Sequence, residues 1–262
     1  MIFPAVLIQS GKSMNILITN DDGIYSPGIA SLARVALNFG TVRVVAPDVE
    51  QSSMGHAITA SRPLAYKKSP VNFDDGIEAV RVNGTPADCV ALGLHLWKET
   101  DVILSGINMG LNVGNSMWHS GTLAGAKQAV LFGIKGIALS TPAGDSEPDF
   151  PALESYVKET LALLLEDKTV NLTNVNFPKH PKGIKYTRQA VQQYDGVVIP
   201  GQDPRGKKHY WFTIMPLDAA AENTDRWAVD NGYTSITPLR LDLTHEPELI
   251  RLMNQQPVEH KS

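Results

Sequence analysis

The chain has 262 residues, 43% of them hydrophobic and 19% charged, a composition that excludes a disordered or fibrous protein and leaves ample material for a core. Its 23 Lys and Arg against 27 Asp and Glu give a net charge of -4, which argues against a nucleic-acid polymer as main partner, because phosphate-backbone binding shows a basic excess. Its single cysteine, Cys89, permits no intrachain disulfide and fits a reducing cytoplasm.

The opening apolar run within residues 1–13 lacks a basic leader and a small-residue cleavage site, and it is too short to span a bilayer. It reads as a dispensable extension, with Met14 as the natural start. No later segment is long enough to be transmembrane, so no membrane partner is expected. Met14 to Thr19 is short, apolar and bounded by turn residues, the pattern of a strand buried on both faces of a parallel sheet. Asn20-Asp21-Asp22-Gly23 breaks that run. Ser26 and Pro27 then supply a cap and a first-turn proline for a helix carrying Ile29, Leu32, Ala33, Ala36 and Leu37 at helical spacing. Two adjacent acids therefore stand at the carboxyl end of a first strand, where open α/β sheets bind ligands. Holding both ionised in a crevice is costly unless a cation neutralises them. Oxygen ligands select a hard divalent ion. Asp and Gly are also ordinary turn formers, and the tripeptide alone leaves both readings open.

Val42 to Pro47 is a second strand, ended by proline, and the loop from Asp48 to His56 follows it. Ile58-Thr59-Ala60 and Pro63 to Tyr66 read as short hairpin strands, and Glu78 to Val82 as another. Thr85 and Pro86 cap and start a helix that runs to about Trp97. Val102 to Ser105 is the next buried strand, opening into a loop from Gly106 to Thr122 in which Asn and Gly alternate. Bare backbone and carboxamide oxygens there suit a site that wraps an ion or an anion. A small-residue helix follows from Leu123 to Phe132, so Ser120, Gly121 and Thr122 lie at a helix N-terminus, which favours phosphate. Gly136 to Ser140 is a further strand, and Phe150 to Leu165 an amphipathic helix. The alternation predicts an α/β fold with a Rossmann-like, doubly wound, mostly parallel sheet over residues 14–170. Residues 171–262 read as a β-rich extension, with strands at 175–177, 185–188, 209–214 and 233–237, used in oligomerisation and partly packed on the core.

Five blocks in this order, NILITNDDGIYSPGI, VVAPDVEQSSMGHAIT, NGTPADCV, SGINMGLNVGNSMWHSGTLAGA and GYTSITPL, resemble the signature blocks of the SurE survival proteins. The resemblance covers nearly the whole chain after Met14. It implies a divalent-metal-dependent phosphatase acting on nucleoside 5′- and 3′-monophosphates and trimming short polyphosphate, a homodimer or homotetramer, and a role in stress survival. By the same resemblance one Mg²⁺ or Mn²⁺ per subunit is held by Asp21, Asp22, Ser52 and Asn108. The phosphate loop falls on Asn112, Ser120, Gly121 and Thr122. Val49 departs from the pattern, since Arg or Lys is usual there. The expected chemistry is in-line attack by a metal-polarised water, with Asp22 orienting or deprotonating it and Asn112, Ser120 and Thr122 holding the developing charge. His119 is the candidate proton donor to the leaving ribose oxygen, histidine being the side chain that titrates near neutrality.

The same residues admit other readings. A receiver-like domain needs a phospho-accepting Asp after a middle strand and a late Lys, which Leu104-Ser105-Gly106 and Leu139-Ser140-Thr141 do not offer. An aspartyl-phosphate phosphatase needs its acids one residue apart, whereas Asp21 and Asp22 are adjacent. A nucleotide-sugar transferase or a non-catalytic nucleotide-binding module also fits, without a P-loop or a GxGxxG fingerprint. Asp48 and Glu50 read as solvated loop charge, and Asp88 as a first-turn acid. Trp118 reads as packing or base stacking, and Asp225 and Asp230 receive no role.

Overall fold

A computed structural model describes residues 13–73, 76–144, 146–191, 196–214 and 220–255. The expected extension at 1–13 thus lies outside the described residues except for Ser13. The first strand, β1 (Met14–Thr19), shows why both faces must be apolar: Ile16 and Ile18 pack on one face of the sheet and Leu17 on the other. Side chains alternate across a strand, so a run buried on both sides is apolar through its centre, with Asn15 and Thr19 toward its ends. β1 pairs in parallel with β2 (Gly40–Pro47) and with β5 (Val102–Met109).

Helix α1 (Pro27–Ala36) begins where Ser26 Oγ accepts the Gly28 N–H at 3.3 Å, and α2 (Pro86–Leu96) begins in a reciprocal cap between Thr85 and Asp88. Caps of this kind are worth about 0.5–2 kcal/mol each. They fix where each strand-to-helix turn ends, and hence where the loop residues point. α1 packs with α4 (Phe150–Glu166) in one core cluster, through Leu32, Leu153, Val157 and Leu161. α2 and α3 (Gly121–Leu131) contribute Cys89, Val90 and Ala129 to the opposite face. The sheet is therefore covered on both sides, as expected of a doubly wound fold.

Among the described residues the main sheet has nine strands in the order β3-β4-β2-β1-β5-β6-β7-β11-β8. β4 (Glu78–Val82), β6 (Lys135–Thr141) and β7 (Leu172–Asn176) continue the parallel ladder. β3 (Tyr66–Lys68) and β11 (Thr234–Leu239) add antiparallel pairs, and β8 (Ile184–Tyr186) closes the far edge. Strand order reverses between β1 and β5, which sets the loops after these two strands side by side.

Several local expectations change. Residues 58–60 form no strand, because the Thr59 N–H and hydroxyl are taken by Asp88 at 2.8 and 2.6 Å instead of by a ladder partner. The strand expected to stop at Ser105 continues to Met109, drawn on by β6, with a register shift between Ser105 and Asn108. Such shifts re-aim side chains beside functional sites. Beyond residue 170 the main sheet goes on through β7, β11 and β8, while β9 (Gly196–Gln202) and β10 (Lys208–Ile214) form a separate antiparallel hairpin. Two short helices join them, α5 (Asp225–Asp230) and α6 (Glu246–Met253).

α3 approaches the sheet closely because it carries small residues: a Cβ on Gly125 would lie 2.7 Å from Ser105 Oγ and 2.9 Å from Thr19 Cγ2. Gly125→Val is expected to overpack that interface and lower stability by about 1–3 kcal/mol in urea unfolding. An unchanged midpoint would show that the helix can move away at no cost.

Candidate metal and phosphate site

The turn after β1 is made by its outer residues, which leaves the acids at its centre available. Asn20 Nδ2 donates to the Gly23 carbonyl at 3.0 Å, and Gly23 N–H donates back to Asn20 Oδ1 at 3.2 Å. Gly23 adopts φ +92°, a conformation that side-chain-bearing residues avoid. Turn formation accordingly consumes neither the Asp21 nor the Asp22 carboxylate.

Asp21 is only 4% exposed and accepts Thr122 Oγ1–H at 2.7 Å. Burial pushes its carboxyl above the usual range, against the pull of the Thr122 hydroxyl. Asp22 is less enclosed and accepts the Met109 N–H at 3.1 Å. Burial, then the neighbouring Asp21 charge, and more weakly Glu50, push it up to about 6, while the Met109 N–H acts in the other direction. Both shifts have the same meaning: negative charge is crowded where water is scarce, and a cation placed there would relieve it. Among the described residues no three His, Cys, Asp or Glu side chains are grouped to share a metal ion. Two carboxylates supplemented by neutral oxygens are a donor set that suits a hard divalent ion. The residues fit such an ion.

The other expected ligands lie on the adjoining loops. Asn108 is half-buried at the end of β5, and its Nδ2 donates to the Gly110 carbonyl at 2.7 Å, which leaves Oδ1 as the carboxamide's accepting atom. The Ser52 loop is fastened to the acids through Gln51 N–H, which donates to the Asp21 carbonyl at 2.8 Å. The Ser52 hydroxyl itself is exposed and donates to Glu50 Oε1 at 2.5 Å. Glu50 is itself exposed, as expected of a solvated loop charge. Asp48 forms an ion pair with Arg81.

The expected phosphate residues converge at the start of α3. Ser120 caps that helix by accepting the Leu123 N–H at 3.0 Å. Gly121 lets the helix end meet the acids, because a Cβ there would lie 2.7 Å from Asp21 Cβ. Asn112 is buried, and its Nδ2 donates to Thr122 Oγ1 at 3.2 Å and to Ser140 Oγ at 2.9 Å. Its backbone is held in turn by Asn174 and Asn176 on β7. An unbroken hydrogen-bonded row therefore runs from Ser140 through Asn112 and Thr122 to Asp21. His119 directly precedes Ser120 and is exposed at the end of the 3-10 turn Gly114–Trp118, with its carbonyl accepting Gly55 N–H at 2.9 Å.

Asp225 is one of the two acids, with Asp230, to which the sequence alone assigns no role. It is fully buried, and its carboxylate accepts Gly114 N–H at 2.8 Å and Ala190 N–H at 3.0 Å. Gln189 Nε2 also donates to the Gly114 carbonyl at 2.8 Å. Gly114 lies between Asn112 and Ser120, so the C-terminal segment clamps the loop that carries the phosphate residues. No local pattern marks Asp225; a lone acid before an apolar turn is common, and its partners are remote in sequence. Asp225→Asn would oppose an amide N–H to a backbone N–H and is expected to lower stability by about 1–3 kcal/mol in chemical denaturation. Equal midpoints for the two proteins would rule the clamp out.

The chain matches known proteins along most of its length. Residues 16–196 match the family model described as survival protein SurE. The 5'-nucleotidase SurE 1 of Thermus thermophilus is 43% identical, over 88% of this chain and 93% of its own. The 5'-nucleotidase SurE of Deinococcus radiodurans is 41% identical, over 87% and 88%. The crystal structure of the Sure protein from Aquifex aeolicus superposes with a TM-score of 0.78 at 37% identity, covering 92% of this chain and 99% of the other. A chain with these loops on this sheet, matched along most of its length, belongs to the SurE family.

Proposed function

We propose that the protein is a 5′-nucleotidase, a divalent-metal-dependent phosphomonoesterase that cleaves nucleoside 5′-monophosphates, and 3′-monophosphates, to nucleoside and phosphate. Short polyphosphate is a further substrate in this reading. The observation that carries it is the contact between the paired acids and the N-terminus of α3, through Thr122 and Asp21. The relatives bearing the name 5'-nucleotidase support the choice of a nucleotide.

Asp21, Asp22, Ser52 and Asn108 would hold one Mg²⁺ or Mn²⁺ per subunit. Bound there, the ion supplies Lewis acidity toward the phosphate and the attacking water. Asp22, the more accessible acid, orients that water and accepts its proton. Gly121 and Ser120 bring the α3 N-terminus to the phosphate, where helix amides and the helix dipole favour an anion. Thr122 lines the phosphate site while its hydroxyl fixes the Asp21 carboxylate. Asn112, whose Nδ2 is already donated, acts mainly by aiming Thr122. His119 donates a proton to the leaving ribose oxygen. Fully buried, unpaired Cys89 fits a reducing compartment, and among the described residues no helix is long and apolar enough to cross a membrane. We therefore assign the protein to the cytoplasm.

A homo-oligomer completes the proposal. On the β9–β10 hairpin Val198 opposes Phe212 and Ile199 opposes Trp211, and all four are exposed. A contiguous apolar hairpin favours covering by another surface, and a second copy of the chain is the occupant proposed. Trp211→Asp is expected to shift the protein to a smaller species in sedimentation velocity, and an unchanged sedimentation coefficient would exclude the hairpin as the contact.

The enzymatic proposal is tested by phosphate release from nucleoside 5′- and 3′-monophosphates and short polyphosphate, with Mn²⁺ or Mg²⁺ and with EDTA. Release should require metal. Asp21→Asn and Asp22→Asn should each lower turnover by on the order of a thousandfold, the worth of several kcal/mol of charge stabilisation. Full activity in EDTA, or in both variants, would remove the metal assignment.

A further inference from the structure

β7 carries a polar pair where the interior of a sheet is ordinarily apolar. Leu172, Asn174 and Asn176 share one face of the strand, and Leu172 packs there with Leu123 and Ala126 of α3, whereas Val175 packs in the core on the opposite face. Both asparagines are fully buried. A buried carboxamide costs stability unless its hydrogen bonds are met, and these two direct theirs to one remote residue. Asn112 N–H donates to Asn176 Oδ1 at 2.8 Å, and the Asn112 carbonyl accepts Asn174 Nδ2 at 2.7 Å and Asn176 Nδ2 at 3.1 Å. Asn176 alone satisfies both main-chain groups of Asn112, so Asn174 is a second donor to an acceptor already served. Its own Oδ1 is buried with no hydrogen-bond partner among the described residues. Such an atom lowers stability, and an apolar side chain of the same shape would not carry that cost. Stability alone therefore does not account for an asparagine at 174.

We propose that Asn174, together with Asn176, is a positioning residue for the reaction, acting on the phosphate site through Asn112, an inference that rests on the nucleotidase reading above. With its N–H held and its carbonyl accepting two donors, the Asn112 backbone is fixed by three bonds. Asn112 Nδ2 can only donate, and it reaches Thr122 Oγ1 at 3.2 Å and Ser140 Oγ at 2.9 Å. Thr122 Oγ1, accepting there, must give its single proton elsewhere, and Asp21 Oδ1 takes it at 2.7 Å. The row is thus polarised in one direction, from β7 toward the acids. Loosening Asn112 at its carbonyl lets the Thr122 hydroxyl turn away from Asp21, and the first turn of α3 loses its aim. Asn174 does this without touching the substrate.

The test uses the metal-loaded full chain and Asn174→Leu, which keeps the size and branching of the side chain and removes both of its polar atoms. Thermal melting should place this variant no lower than wild type. Its kcat/KM for a nucleoside 5′-monophosphate and its affinity for inorganic phosphate, read by calorimetric titration, should each fall on the order of tenfold, as small misplacements remote from the chemistry do. In an Asn112→Ala background, where no carboxamide is left to aim, Asn174→Leu should cost less than about twofold more. Val175→Ala, on the other face of the same strand, should show the reverse pattern, a lower melting temperature with kcat/KM unchanged. If Asn174→Leu does not fold, Asn174→Ala carries the same comparison. Retained kcat/KM and phosphate affinity would make Asn174 structural and overturn the proposal, and so would losses that simply add in the double variant, whatever the melting temperature. If wild type binds phosphate but releases none from any nucleotide, the nucleotidase reading falls, and the phosphate titrations alone decide the positioning role. A wild type that does neither ends both.

Discussion

The hydrogen bond from Thr122 to Asp21 joins the carboxyl end of β1 to the amino end of α3, and the geometry of the site depends on it. A carboxylate this enclosed is costly to ionise. It is tolerable only where donors or a cation compensate, and the surrounding chain is arranged to provide them. Small residues let α3 come close, Asn112 aims Thr122, and the asparagines of β7 hold Asn112. Asp22, one residue on, faces outward enough to meet the β5 loop instead. Two chemically identical neighbours therefore have different environments, one fixed and the other nearer solvent.

Much of this was legible in the chain because it is local. Ser26-Pro27 and Thr85-Pro86 announce helix starts by chemistry that acts within three residues, and both helices begin there. The apolar runs within β1, β2 and β5 are short, rich in β-branched residues and bounded by turn residues, the pattern of strands covered on both faces. The acids and the Asn-Gly loop could be placed at strand ends for the same reason. The rest was not legible because it depends on remote partners. Residues 58–60 alternate like a strand, yet Asp88 takes the Thr59 N–H. β5 runs past Gly106 only because β6 lies alongside. Asp225 has no signature at all, since its meaning is supplied by Gly114 and Ala190. Glu50 carries only a charge, and sequence does not say which neighbours feel it.

The cap of α2 illustrates how one residue serves two scales. As a first-turn acid, Asp88 would be ordinary helix chemistry. In the folded chain its oxygens reach past the helix to hold Thr59 as well as Thr85, and against the effect of burial the Thr59 hydroxyl, the Thr59 N–H and the Thr85 N–H hold its carboxyl below the usual range. A device that starts a helix also anchors a loop 29 residues before it.

The bonds that assemble the site are distant along the chain. Thr122 to Asp21 spans 101 residues, Met109 to Asp22 spans 87, and Gly114 to Asp225 spans 111. Each closes a long loop, and loop-closure entropy is lost before such contacts return any stabilisation. No fragment of the sheet can therefore hold the acids, the helix end and their clamp together. The site comes into being late in folding, when β1, β5 and the C-terminal segment have all docked, so turnover reports on completion of the whole fold and a partly folded chain has no half-built centre with which to act.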